Sequence, residues 1–168
     1  MQDIISATLG ELDFDPDALK EKYLAERDKR LRDDANEQYI EVTGDFSDYV
    51  DDPYEKRVER EPLNDTVEIA IIGGGFGGLL LGGRLREAGF KDIRVIEKGG
   101  DFGGTWYWNR YPGARCDIPS MQYSYQFSED LQQEWEWSEK YATQGEILSY
   151  AEHVVERFGL ADGMTFNT

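Results

Sequence analysis

Residues 66–78 read Thr-Val-Glu-Ile-Ala-Ile-Ile-Gly-Gly-Gly-Phe-Gly-Gly, a β-branched run that breaks into glycine. Such a run predicts a short, buried parallel strand. Leu79-Leu80-Leu81 through Glu87-Ala88 then predicts a helix stopped by Gly89, and Asp92-Ile93-Arg94-Val95-Ile96-Glu97 a second strand. Together they make a βαβ unit of about thirty residues. Within it Gly73, Gly75 and Gly78 fit the G-x-G-x-x-G pattern. Gly73 permits the tight turn, Gly75 lets backbone N–H groups approach a pyrophosphate, and Gly78 lets the helix pack on the strand. The helix N-terminus faces the anion. Glu97 ends the second strand, where an acidic residue accepts hydrogen bonds from a ribose diol. The competing reading is a structural glycine turn with a surface glutamate.

A second segment narrows the ligand. Residues 103–117 read Gly-Gly-Thr-Trp-Tyr-Trp-Asn-Arg-Tyr-Pro-Gly-Ala-Arg-Cys-Asp. This is too irregular for a helix, too rich in glycine for a central strand and too aromatic for a solvated loop. It predicts a wall around a flat ligand. Lys98 to Gly104 again sets glycines where backbone must approach that ligand.

The string from Asp101 to Ile118 closely resembles the flavin-binding segment of the Baeyer–Villiger monooxygenases, the class B flavoprotein monooxygenases. The resemblance continues through Tyr123-Ser124-Tyr125, Glu134-Trp135-Glu136-Trp137 and Glu139-Lys140-Tyr141-Ala142, and covers residues 64–168. It implies FAD and NADPH as cofactors and a ketone and molecular oxygen as substrates, with an ester or lactone as product. In that family an arginine holds the oxygenating group as its anion, and a carboxylate beside it tunes the arginine. That carboxylate matches Asp117, which makes it the catalytic candidate. An aspartate capping the Ile118-Pro119 turn is the alternative. The implied cofactor-binding set is Gly73, Gly75, Phe76, Gly78, Glu97, Lys98, Gly103, Gly104, Thr105, Trp106 and Tyr123, joined by Asp117.

Other residues predict less. Trp135 and Trp137 alternate with acids and suit packing better than substrate binding. Cys116 has no histidine near it to make a thiolate. His153 reads as a helix-surface residue. Arg110 and Arg115 suit phosphates and local carboxylates equally.

The formal charge is −17, and residues 1–62 hold 19 of the 35 acidic groups against 9 basic ones. So acidic a chain argues against nucleic-acid and anionic-membrane partners. One cysteine, Cys116, and one histidine, His153, allow neither an intrachain disulfide nor a zinc site, so no metal is expected. Met1-Gln2-Asp3-Ile4-Ile5 lacks the basic start and apolar core of a signal peptide, and the uncharged run Ile69–Gly83 is too short and glycine-rich to span a bilayer. A cytoplasmic protein is expected.

The fold class predicted is α/β: a Rossmann-like βαβ dinucleotide-binding portion over 63–168, preceded by an acidic, partly helical extension over 1–62. Asp15-Pro16 starts a helix running to about Asp34, with Leu19, Tyr23, Leu24 and Leu31 as a thin apolar stripe suited to lying on a larger body. Residues 43–62 predict an extended connector. Thr143-Gln144-Gly145-Glu146 has the form of a capping box, followed by Ile147, Ala151, Val154, Val155 and Phe158 at helical spacing. Met164–Thr168 predicts a further strand. A second G-x-G-x-x-G, the family's Phe-x-Gly-x-x-x-His-x-x-x-Trp string and a downstream arginine are all missing from these 168 residues. The expectation is the N-terminal portion of a longer enzyme, inactive without the remainder of the polypeptide. The alternatives are a stand-alone flavin-binding module and a piece of a flavin N- or S-oxygenating enzyme.

Overall fold

The structure, a computed structural model, describes residues 13–168, so Met1–Ile5 lie outside the described residues. The described residues divide into two compact units, with the boundary between Val50 and Asp51. In the first, helix α1 spans Pro16–Asp28, and Asp15 Oδ1 accepts the N–H groups of Asp17 at 2.9 Å and Ala18 at 3.4 Å. The helix stops short of the predicted Asp34. Asp33 and Asp34 would set carboxylates against its C-terminal carbonyls, where the helix dipole disfavours them. None of its residues is buried. The predicted extended connector also begins differently, since Gly44–Tyr49 forms a 3₁₀ turn.

The second unit carries the sheet. Strand β1 (Ile69–Ile72), helix α2 (Phe76–Glu87) and strand β2 (Ile93–Ile96) are the predicted βαβ unit. β1 and β2 pair in parallel, Ile69 opposite Ile93 and Ile72 opposite Ile96. β3, only Met164–Thr165, pairs in parallel with the other side of β2. It ends early because Asn167 takes a left-handed backbone, with φ at 56°. Ile71, Ile93 and Val95 form one buried face beneath α2. The other face is open, unlike the two-sided burial expected of a parallel strand. Ile72 is 88% exposed, and a groove of about 400 Å³ runs past Ala70, Ile96 and Thr165.

Helix α6 (Gln144–Arg157) follows three short helices, α3 (Thr105–Trp108), α4 (Ser120–Tyr123) and α5 (Glu129–Glu134). Its predicted stripe is buried at Ile147, Ala151, Val154 and Val155, with Tyr150 added. The capping box is half formed. Thr143 Oγ1 accepts the Glu146 N–H at 3.4 Å, but the Glu146 carboxylate accepts from Ser138 N–H and hydroxyl at 2.6 and 2.9 Å. Leu79, Leu131, Tyr150, Val154 and Leu160 centre the main core, with Trp135 and Trp137 packed on it.

One polar bond inside this core is testable. The Tyr150 hydroxyl, its ionisation pushed up by burial, accepts the buried Tyr125 N–H at 2.9 Å. Tyr150→Phe is expected to strand that N–H and cost about 1–3 kcal/mol in urea unfolding. An unchanged midpoint would show that the bond contributes nothing.

Candidate functional site

Two glycine segments meet at the C-terminal end of the sheet. The turn after β1 takes Gly73 at φ 97°, a conformation open to glycine, and Gly73 N–H bonds the Ile96 carbonyl at 2.7 Å. The second segment enters from β2, and Gly103 N–H bonds the Gly74 carbonyl at 2.9 Å. Their backbones lie against one another, since a Cβ on Gly75 would stand 3.3 Å from Gly104 Cα. A Cβ on Gly78 would stand 2.0 Å from the Gly73 carbonyl oxygen, so glycine alone lets α2 pack on the turn. No side chain caps the start of α2, which leaves its first-turn N–H groups for an anion.

Glu97 sits one residue past β2 with only 6% of its surface exposed. Its Oε2 accepts Gly74 N–H at 2.5 Å and its Oε1 accepts Gly99 N–H at 2.8 Å. The carboxylate therefore ties both glycine segments together, and each oxygen keeps a lone pair for a diol. A cradle built of backbone N–H groups, closed to a Cβ at Gly78 and Gly104 and bordered by a buried carboxylate, fits the pyrophosphate and ribose of a dinucleotide.

The aromatic segment contains one helical turn, α3, which the irregular composition of 103–117 did not predict. Trp106 is buried, and its Nε1 donates to the Tyr123 hydroxyl at 3.0 Å with the two rings edge to face. Phe76 stacks obliquely on Tyr123 and Tyr125, and its carbonyl accepts the Tyr125 hydroxyl at 2.5 Å. Phe76, Trp106 and Tyr123 thus form one aromatic block behind the glycine turns. Thr105 is exposed at the start of α3, and Lys98 reaches over the Trp108 ring at 5.6 Å.

Asp117 is exposed on the segment after buried Cys116, and among the described residues it accepts no hydrogen bond. The Ile118-Pro119 turn therefore lacks the aspartate cap considered above; α4, which starts just after it, has no side-chain cap. Arg115 pairs with Glu139 at 2.9 Å and donates to the Tyr141 carbonyl at 3.0 Å. Arg110 instead donates to the Tyr107 carbonyl at 2.9 Å and lies over the Tyr54 ring at 3.8 Å. His153 is half-buried beside Trp135, its Nε2 3.3 Å from Glu134 Oε2 but without the angle of a hydrogen bond. Asp52 and Tyr54, which carried no motif, touch this segment as well.

The family described as NAD(P)-binding Rossmann-like domain matches residues 71–135, the span of the glycine turn and the aromatic segment. Neopentalenolactone D synthase of Streptomyces avermitilis is 47% identical over 155 residues, 92% of this chain. A Baeyer–Villiger monooxygenase of Streptomyces coelicolor is 45% identical over 152 residues, 89% of the chain. The chain is related to the Baeyer–Villiger monooxygenases. It spans about a quarter of these relatives' length, 26% and 24% respectively. Among solved structures, an oxidized steroid monooxygenase bound to NADP is similar, with 51% identity and a TM-score of 0.57. The likeness covers 60% of this chain and 19% of that one. OTEMO in an FAD-bound form gives 40% identity and a TM-score of 0.55 over 60% of the chain and 19% of its own. The Rossmann-like α/β fold is common to this chain and its Baeyer–Villiger relatives. Among the described residues no helix is long and apolar enough to cross a membrane.

Proposed function

We propose that this chain supplies the FAD-binding part of a cytoplasmic Baeyer–Villiger monooxygenase, acting with further polypeptide of the length its relatives have. The observation that carries the reading is the meeting of two glycine segments around Glu97, in a chain 45% identical to a Baeyer–Villiger monooxygenase over 152 residues. The bare apolar face at Ala70, Ile72 and Ile96 supports further polypeptide as its cover. FAD, when bound, would supply the redox chemistry that joins oxygen to the ketone. In the overall reaction NADPH gives two electrons, one oxygen atom of O2 enters the ketone as an ester or lactone, and the other leaves as water.

The residues here bind and orient. Gly73, Gly75, Gly78, Gly103 and Gly104 bring backbone to the pyrophosphate, and Glu97 takes the ribose diol. Phe76, Trp106 and Tyr123 back the turn, while Lys98 and Thr105 border it. Asp117, exposed and without a hydrogen bond among the described residues, is free to face an arginine from elsewhere in the polypeptide. It would hold that guanidinium in place by charge.

The full-length protein, supplied with NADPH, O2 and a ketone panel, is expected to yield a product heavier by one oxygen atom. NADPH oxidation without such a product from any ketone would remove the oxygenase reading. Asp117→Ala is expected to keep FAD while ketone oxygenation falls on the order of tenfold, equivalent to about 1.4 kcal/mol of transition-state stabilisation. Normal turnover in that variant would take Asp117 out of the site. Intact mass tests the stand-alone alternative, since a natural 19.3 kDa species that retains yellow flavin would favour a separate binding module.

A further inference from the structure

Asp52 belongs to no sequence motif, yet its carboxylate is filled by donors. Oδ1 accepts the N–H groups of Tyr54 at 2.8 Å and Glu55 at 3.2 Å, which folds residues 52–55 into a tight turn. Oδ2 accepts Gly100 N–H at 2.7 Å and the Tyr107 hydroxyl at 2.5 Å. These two donors stand on either side of Gly103-Gly104, the pair that abuts Gly75. Two more contacts fasten the same turn. The Tyr54 hydroxyl donates to the Trp108 carbonyl at 2.9 Å, and Arg110 lies 3.8 Å from the Tyr54 ring centre and 4.7 Å from that of Tyr107. A Cβ on Gly100 would stand 2.5 Å from Glu55 Cβ, so the turn sits directly on the loop backbone.

We propose that Asp52 is a positioning residue for the bound flavin dinucleotide, clamping the 99–108 loop at the separation from the 73–78 turn that the pyrophosphate needs. The inference rests on the flavin-binding reading above. All four contacts reach Asp52 as donors, so the site requires a group that only accepts. Asparagine would set an NH2 against backbone N–H groups in either orientation. Burial raises the Asp52 carboxyl, but the hydrogen bonds from Tyr107, Tyr54, Gly100 and Glu55 outweigh it and hold the group below its ordinary range. The ionised acceptor therefore prevails at neutral pH.

The test compares Asp52→Asn, Asp52→Ala and Tyr107→Phe in the full-length protein. FAD dissociation is followed by flavin fluorescence, the bound ring by visible circular dichroism, and the loop by hydrogen exchange over residues 99–108. Both Asp52 variants are expected to weaken FAD by at least about tenfold, the effect of losing one charged hydrogen bond. Their flavin dichroism should change and their loop amides should exchange faster, with Tyr107→Phe moving the same way by less. Wild-type FAD affinity and dichroism in Asp52→Asn, whatever its thermal midpoint, would overturn the proposal and leave a purely structural clasp. If the Asp52 variants fail to fold, Tyr107→Phe decides by the same readouts, since it keeps the ring and removes one donor. A wild-type protein that binds no FAD at all is a separate result, which overturns the flavin reading and this proposal with it.

Discussion

Alanine at Gly78 is expected to leave the full-length protein without flavin and about 3 kcal/mol less stable, the upper part of the range for overpacking. The added methyl would stand 2.0 Å from the Gly73 carbonyl oxygen and 3.1 Å from its carbon. Both are backbone atoms, so no side chain can swing aside. Relief requires lifting the first turn of α2 from the strand, and that turn carries the N–H groups offered to the anion. Leu79, fully buried one residue later, would be drawn out of the main core as well. Urea unfolding should show a lower midpoint at unchanged slope. A wild-type midpoint with flavin retained would mean that the helix start is not packed as described.

Valine at Gly75 is expected to weaken dinucleotide binding by at least a hundredfold, about 2.7 kcal/mol. The glycine signature alone suggests that a side chain here would occupy the place of the pyrophosphate. The structure adds a second cause. The Cβ of residue 75 would press on Gly104 Cα at 3.3 Å, and the valine methyls would wedge the two glycine segments apart. The Gly103 N–H bond to the Gly74 carbonyl would then open. Gly75 itself has φ −79°, so valine costs little in local backbone strain and the loss should appear mainly in binding. Titration with FAD, beside a thermal melt, separates the two. Undiminished binding would contradict the placement of the turn against its neighbour.

These contrasts show where the sequence was informative. The strand, turn, helix and strand over 69–96 were legible because β-branched residues, glycines and a leucine run change character at their boundaries. Helix α6 was legible from its cap and its apolar spacing. The three short helices were not, because four to six residues carry no period. Trp106 and Tyr107 are held in α3 by contacts to Tyr123 and Asp52 far away in sequence. The reciprocal half of the predicted capping box does not form for the same reason, since Ser138 takes the Glu146 carboxylate. Glu97 was found by its spacing, but its role in tying Gly74 to Gly99 appears only in three dimensions. Asp52 sits among many acids in a charged stretch, and no local signal separates it from the solvated ones. Asp117 was reached through family resemblance, because its own neighbourhood in this chain holds no partner for it among the described residues.

The most direct measurement is the cofactor content of the full-length protein: its visible spectrum as purified, and the identity of the ligand released on heating. One FAD per chain is predicted, bleached by NADPH in the absence of oxygen. A colourless protein that takes up no added FAD would contradict the flavin site built on Gly75, Gly104 and Glu97.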